Sequence, residues 1–240
     1  MYETKRLKRL IKGKENKAME HKILKTLTHC PLFQGMAEEK IDRLLDSINN
    51  RLVSFDKHDI YALAGYPCRY ADIVIKGELV ASMVSLSGKY VEISRLKAGD
   101  MVAPAFIFAS DNRMPVSVEA GAYTQILRIS KSELKRLIDA DEKIRMNYIQ
   151  TIADIEVFLT RKMRILSLLT VREKVAYFIL SISKEQGTNT VKLDKSRQEI
   201  ADSFGIQKFS LLRCMSELVD AGAIKVDGKT ITILDRNKMG

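Results

Sequence analysis

The side chains whose chemistry is simplest to interpret lie close together near the end of the chain. Gln207, Lys208, Ser210 and Arg213 end in N–H or O–H groups that can donate hydrogen bonds to phosphate oxygens or to base edges. With Leu211 they occupy the first turns of a stretch whose apolar residues recur at helical spacing. Residue types and position together indicate that this stretch contacts DNA.

Two short helices joined by a tight turn are needed to position these side chains. The first begins with a capping-box pattern at Ser196 and Glu199, and Ser196 and Arg197 are further candidate DNA contacts. Gly205 can take the left-handed backbone conformation that the turn requires. The spacing predicts a helix-turn-helix, with an ordinary helical hairpin as the alternative. The apolar faces of the two helices are Ile200, Ala201 and Phe204, then Leu211, Leu212, Met215, Leu218 and Val219.

The residues after the second helix favour the helix-turn-helix. Ala221-Gly222 is a helix stop, and Ile224 to Val226 has the composition of a short strand. Asp227-Gly228 is a hairpin signal that leads into a second strand over Ile231 to Leu234. A helix-turn-helix followed by a β-hairpin is a winged helix.

Net charge alone is poor evidence for a nucleic-acid partner. The 240 residues carry a net charge of +10, but residues 1–25 hold nine Lys or Arg against three Asp or Glu, which is +6 of that total. Residues 170–240 hold twelve against nine, a net +3. The basic residues 1–22 predict either a DNA-contacting arm or a solvated helix.

Several classes of protein are disfavoured by composition. We find no apolar run of about 18 residues and no secretory signal, so we expect a cytoplasmic chain without a membrane contact. Cys30, Cys68 and Cys214 are odd in number and far apart, which is typical of reduced thiols. The three histidines are dispersed, and neither a nucleophile motif nor a phosphate loop is present, so we expect no enzymatic activity.

The first half of the chain changes from helical to strand periodicity. Residues 23–45 have a helical pattern interrupted at Pro31, and residues 51–129 break into short runs rich in Val, Ile and Tyr with glycines between them. Such spacing predicts an antiparallel β-barrel or jelly roll. The expected strands are Leu52–Phe55, Ile73–Ile75, Leu79–Leu86, Tyr90–Leu96 and Gln125–Ile129.

A long helix is expected between the barrel and the helix-turn-helix. From Asp139 to Thr170 the helical period continues without Gly or Pro, and its apolar seam is close to a heptad repeat. The seam predicts either packing within one subunit or, as we favour, the two-fold interface of a homodimer. Its residues are Tyr148, Ile152, Ile155, Leu159, Met163 and Leu166.

The order of these elements resembles the CRP/FNR superfamily of bacterial transcription regulators. Residues 73–102, which include a strand, a Gly turn and a closing Gly-Asp pair, are similar to the family's sensor barrel, and residues 196–233 to its DNA-binding domain. The fold class is therefore expected to be α+β. Its parts are a basic extension (1–22), a cyclic-nucleotide-binding-like barrel (23–138), a dimerisation helix (139–169) and a winged helix-turn-helix (170–240).

The resemblance fails at the residues that bind cyclic AMP. In members that bind it, a Gly-Glu-Leu segment follows the Gly-Asp pair, and an Arg-Ser pair stands about ten residues later. Ala103-Pro104-Ala105 and Met114-Pro115 occupy these positions here. A buried phosphate would have no arginine partner, so we expect no cyclic AMP binding. Arg113, beside the expected position, leaves a shifted register as the alternative.

Other sensor chemistries follow from narrower resemblances. Members that sense oxygen through an iron–sulfur cluster carry an N-terminal cysteine cluster, which this chain lacks, so no such cluster is expected. Residues 103–120 resemble the branch that regulates the hybrid cluster protein, which implies a response to nitric oxide or nitrosative stress through haem. The candidate axial ligands are His58, Cys68, Met83, Met114 and Met146, of which Met146 is preferred.

The resemblance also bears on the operator and on regulation. Lys208 and Arg213 match two arginines of the family's recognition helix, while Phe209 replaces a glutamate that accepts a hydrogen bond from cytosine. We therefore expect a different half-site in a two-fold operator, and the resemblance also allows a contact with RNA polymerase. Control would be allosteric. The alternative is a regulator controlled by cysteine oxidation or by no effector.

Overall fold

The computed structural model describes residues 21–84 and 90–239, and for residues 84, 90 and 91 it describes the backbone alone. These residues form two compact units, one ending at Ile155 and the other beginning at Glu156. The basic extension predicted for residues 1–22 lies almost wholly outside the described residues.

Two antiparallel sheets form the centre of the N-terminal unit, as expected for an open jelly roll. One sheet has the order β1-β7-β3 and the other β2-β6-β4-β5. Gly77 joins β3 to β4 at a φ of +81°, and a Cβ there would overlap the Tyr123 carbonyl oxygen. No other residue fits this turn. The strands are β1 (Asn50–Phe55), β2 (Ile60–Ala62), β3 (Tyr70–Lys76), β4 (Glu78–Val84), β5 (Tyr90–Lys97), β6 (Ser117–Ala120) and β7 (Thr124–Ser130).

Helices precede and follow the strands of the N-terminal unit in the sequence. Residues 21–27 form the described part of α1, followed by a 3₁₀ turn at Pro31–Phe33 and by α2 (Glu38–Asp46). After the sheets come α3 (Lys131–Ala140) and α4 (Glu142–Leu168). Apolar side chains from these helices and the sheets share one core, whose fully buried members include Leu27, Phe33, Ile41, Ile73, Ile126, Leu134 and Ile144.

The long helix begins later than its sequence pattern predicts. Asp141 has an extended backbone and interrupts the helical run between α3 and α4. Its carboxylate accepts a hydrogen bond from the Ile144 amide at 3.0 Å, which caps the first turn of α4. The start predicted at Asp139 is therefore wrong, because an aspartate that caps a new helix does not disturb the apolar period on either side.

The C-terminal unit has its own core. Following the C-terminal part of α4, it contains α5 (Val171–Gln186), α6 (Arg197–Ser203), α7 (Lys208–Asp220) and a sheet with the order β8-β10-β9. Its strands are β8 (Thr190–Lys192), β9 (Ile224–Asp227) and β10 (Thr230–Ile233). The core includes Ile179, Ile200, Leu211, Leu218 and Ile231.

Candidate DNA interface and sensor cleft

The turn between α6 and α7 has the geometry that the sequence predicts for a helix-turn-helix. The Ser196 hydroxyl accepts a hydrogen bond from the Glu199 amide at 3.2 Å, and the Glu199 carboxylate accepts one from the Ser196 amide at 2.7 Å. This confirms the predicted capping box. Gly205 ends the turn with a φ of +61°. The first helix is therefore fixed at its start and the chain reverses where glycine permits it.

One face of α7 packs in the core and the other is exposed. Leu211 is only 1% exposed and lies in the core with Cys214, Met215 and Leu218. The prediction that Leu211 contacts DNA is therefore wrong, since its side chain belongs to the packed face. The exposed side chains of α7 include Lys208, Phe209, Leu212 and Arg213.

The predicted polar contacts lie at or near the start of α7. Gln207 occupies the N-cap without a capping hydrogen bond from its side chain, and Ser210 is half-buried. The Arg213 guanidinium lies 3.3 Å from the Glu217 carboxylate. Exposed pairs of this kind contribute about 1 kcal/mol or less, so this pair leaves Arg213 able to take another partner.

Arg197 connects α6 to the wing formed by β9 and β10. Its guanidinium donates a hydrogen bond to the Gly228 carbonyl oxygen at 2.9 Å. Asp227 pairs with Thr230, so the wing turn consists of Gly228 and Lys229, one residue later than the Asp227-Gly228 pair predicted. Arg197 therefore has a structural role in holding the wing turn against the first helix.

A buried ionic network crosses the first sheet of the N-terminal unit. Asp72 on β3 is fully buried and stands opposite Arg128 on β7, whose guanidinium lies 2.7 Å from its carboxylate. The Tyr61 hydroxyl donates to the same carboxylate at 2.9 Å. Desolvation raises the pKa of Asp72, and its hydrogen bonds from Arg128 and Tyr61 oppose that rise.

A cleft of about 320 Å³ opens beside this network. Of the five candidate haem ligands, Cys68 and Met114 line the cleft, whereas His58, Met83 and Met146 do not. Burial raises the pKa of the Cys68 thiol, which disfavours the thiolate that would bind iron. The structure therefore brings two of the five candidates to one place. Further lining residues are Ile60, Tyr61, Ala62, Leu63, Tyr66, Pro67, Arg69, Tyr70 and Arg128.

The segment that replaces the cyclic-nucleotide motif is held by the fold. Ala103 has a φ of +47°, a left-handed conformation that is uncommon for a residue with a Cβ. The Pro104 carbonyl oxygen accepts a hydrogen bond from the Tyr148 hydroxyl at 2.8 Å. Arg113 points to the surface, where its guanidinium is 2.8 Å from Asp111. Arg113 does not line the cleft.

The predicted dimer seam of α4 divides into a buried and an exposed part. Tyr148 is buried in the core of the N-terminal unit, and Ile152 packs against that core. Tyr148 is therefore an internal contact and not an exposed seam residue. Ile155 is half-buried, whereas Leu159, Met163 and Leu166 are exposed.

The described ranges 21–84 and 90–239 contain neither a metal-binding cluster nor a membrane span. No group of three or more His, Cys, Asp or Glu side chains is arranged to hold a metal ion there. No helix within those ranges is both long and apolar enough to cross a membrane.

Comparison with known proteins identifies both halves of the chain. Residues 52–141 match the model of the cyclic nucleotide-binding domain, and residues 173–240 match the Crp-like helix-turn-helix domain. The chain is 25% identical over 214 residues to the cAMP-activated global transcriptional regulator Vfr of Pseudomonas aeruginosa, which covers 86% of this chain and 97% of Vfr.

Two solved structures share the fold. The c-di-GMP responsive global regulator CLP of Xanthomonas campestris matches with a TM-score of 0.61 and 19% identity, over 82% of this chain and 99% of CLP. A variant of CprK complexed with OCPA matches with a TM-score of 0.66 and 12% identity, over 84% of this chain and 92% of CprK. With both domain types in the order of the regulators it resembles, the chain belongs to the CRP/FNR family of DNA-binding transcription regulators.

Proposed function

We propose that this regulator acts as a homodimer joined through the C-terminal half of α4. The observation that carries the proposal is that Leu159, Met163 and Leu166, spaced four and three residues apart and therefore on one face of the helix, are all exposed. A helix half that exposes this much apolar surface gains free energy when a second copy covers it. A two-fold axis along the seam would give the dimer two recognition helices related by symmetry.

The DNA contacts follow from the exposed start of α7. We assign Lys208 and Arg213 to base edges, and Gln207 and Ser210 to bases or phosphates. Ser196 and Arg197 remain candidates for phosphate contacts in addition to their structural hydrogen bonds. A dimer with these contacts would read a two-fold operator whose half-sites lie about one helical turn apart.

Selection of duplexes from a random library by the purified full chain tests this proposal. We expect enrichment of an inverted repeat and a complex of two protomers per duplex, measured by mass photometry. Enrichment of a single half-site bound by one protomer would refute the dimeric reading. No enrichment at all would count against sequence-specific binding.

For the input signal, we propose that the N-terminal unit does not respond to cyclic AMP. Pro104 has no amide proton, and Met114 offers no charge for a cyclic phosphate. Vfr, by contrast, is named as cAMP-activated, so the response of this chain to cyclic AMP can be compared directly with that of Vfr. We expect operator affinity to be the same with and without cyclic AMP, and an increase on its addition would show that Arg113 or another group supplies the missing charge.

We propose that the regulator responds to nitrosative stress through a bound haem, and that a residue lining the cleft binds the haem iron. Support comes from the resemblance of residues 103–120 and from Cys68 and Met114, which line one cleft. Met114 is the better placed of the two, because a thioether needs no deprotonation to bind iron, whereas burial raises the pKa of Cys68. Bound haem would supply an iron centre for nitric oxide.

Titration of the purified chain with haem tests the cofactor and its ligand separately. We expect a saturable Soret shift at one haem per subunit. The shift should change in Met114→Leu and persist in Met146→Leu, which alters an exposed methionine of α4. A shift that is lost only in Met146→Leu would return the ligand to the residue that the sequence favours. A featureless titration would remove haem and leave the DNA-binding proposal intact.

The alternative is a regulator controlled by cysteine oxidation or by no effector. Cys30, Cys68 and Cys214 are all buried, and burial raises the pKa of each thiol, that of Cys30 to about 12. Reactive sensor cysteines are exposed and carry a lowered pKa, so these three are poor oxidant targets. Unchanged operator affinity after peroxide treatment would support this argument against the cysteine route.

A further inference from the structure

We propose that Phe209 reads thymine methyl groups in the operator and so helps to set the half-site sequence. The inference rests on the proposed DNA contact by α7 and adds a specificity residue to it. Phe209 is the second residue of α7, and its side chain is 72% exposed. The fold therefore does not use this ring for packing.

Two other phenylalanines of the same unit, Phe178 and Phe204, are packed against each other. Phe204, at the end of α6, packs edge-on against Phe178 with ring centroids 5.8 Å apart. Phe209 has no such aromatic partner among the described residues. An aromatic ring left in water at the exposed start of a recognition helix gains free energy only when another surface covers it.

The charges around Phe209 indicate what that surface is. Lys208 precedes it, and Arg213 lies one helical turn further along, so the ring lies between two exposed cations. This surface is suited to a polyanion and unsuited to an apolar protein partner. Leu212, exposed and three residues after Phe209, extends the apolar part of the same face.

Base-pair chemistry then selects the contact within the major groove. A phenyl ring can neither donate to guanine nor accept from the cytosine amino group. The apolar feature that a base pair presents in the major groove is the thymine C5-methyl group. Phe209 therefore favours thymine over cytosine at its position, where a glutamate would favour cytosine.

Removal of a single thymine methyl group from the DNA tests this contact directly. The probe is the duplex enriched by the wild-type chain. Its thymines are replaced by uracil one position at a time, and each replacement is made at the equivalent position of both half-sites. Loss of one methyl contact is worth about fourfold in affinity, so we expect about a 16-fold loss for the symmetric pair. In Phe209→Ala the thymine and uracil duplexes should bind equally well.

The matched control is Arg213→Ala, which should bind both duplexes more weakly but retain the preference for thymine over uracil. Suppose that a duplex is enriched but that no uracil substitution lowers the DNA affinity of the wild type more than that of Phe209→Ala. Phe209 then does not read a methyl group, while the DNA-binding proposal stands. If no duplex is enriched, both proposals fall. Because Phe209 is exposed, thermal unfolding of the alanine variant should match that of the wild type.

Discussion

At the scale of single residues, Arg128 compensates a carboxylate that has no access to water. Asp72 is fully buried, and its only described cationic partner is Arg128. Removing one partner of a buried ion pair strands the other charge, which typically costs about 3–5 kcal/mol. We therefore expect Arg128→Met to lower the free energy of unfolding by about that amount at pH 7. Urea denaturation followed by tyrosine fluorescence measures it, because all tyrosines except Tyr177 precede residue 156.

The pH dependence of that variant has a definite sign. Desolvation already raises the pKa of Asp72, and loss of Arg128 removes the main opposing influence, so the pKa rises further. A carboxyl group whose folded pKa lies above its unfolded value destabilises the fold as pH rises through that pKa. The destabilisation should therefore shrink from pH 7 to pH 5. Arg69→Met, which removes an exposed arginine from the same cleft, should show neither effect, and equal losses at both pH values would contradict the argument.

Arg213 is expected to act on bases and not on phosphate. Its guanidinium is exposed and shares only a weak surface pair with Glu217. We expect Arg213→Ala to weaken operator binding by about 1–3 kcal/mol and to relax the sequence preference at one position of each half-site. Competition binding with single-base operator variants measures both quantities. Equal weakening on operator and unrelated duplexes would identify a phosphate contact.

At the scale of elements, the capping box of α6 holds the first helix of the reader. The Ser196 hydroxyl satisfies the Glu199 amide, and loss of an N-cap hydroxyl typically costs about 1 kcal/mol. We expect Ser196→Ala to speed hydrogen exchange of the α6 amides about fivefold in the full chain. Ser203→Ala, at the other end of α6, is the control because its hydroxyl donates only to the Ile200 carbonyl oxygen. Equal exchange in the two variants would show that the cap is not needed.

The elements of the C-terminal unit were largely predictable because their signals are local. The capping box, Gly205 and the hairpin each involve residues within four positions of one another. Helix α5 was missed although Thr170 and Glu173 form the same capping box, a pattern visible in the sequence. Leu211 is wrong as a DNA contact although the sequence already indicates its direction, because its spacing with Met215 and Leu218 places it on the apolar face of α7.

The barrel was less predictable because its contacts are distant in sequence. Strands β2 and β6 were missed, since three or four residues are too few to show an alternating pattern. Asp72 and Arg128 lie 56 positions apart, and only the register of β3 against β7 brings them together. An aspartate inside the apolar strand from Tyr70 to Lys76 was a usable signal, because a buried carboxylate requires a partner.

At the scale of the whole molecule, α4 is the one helix whose residues belong to both compact units. Its N-terminal half is tied to the N-terminal unit, where the Asn147 amide donates to the Leu32 and Gln34 carbonyl oxygens at 3.0 Å. Its C-terminal half exposes Leu159 and Met163. A seam fixed at one end and uncovered at the other is well suited to joining two copies while each sensor unit keeps its own contacts.

Leu159→Glu tests the seam for two reasons. The carboxylate would lose its hydration if a second copy covered it, and it would face the same carboxylate of that copy. We expect the dimer dissociation constant to rise by about two orders of magnitude, measured by sedimentation equilibrium. Operator affinity should fall as well, because separate protomers lose the gain from binding two half-sites together. Ala153→Glu adds the same charge to an exposed position on another face of α4 and should leave both unchanged. A dimer that persists in Leu159→Glu would place the interface elsewhere.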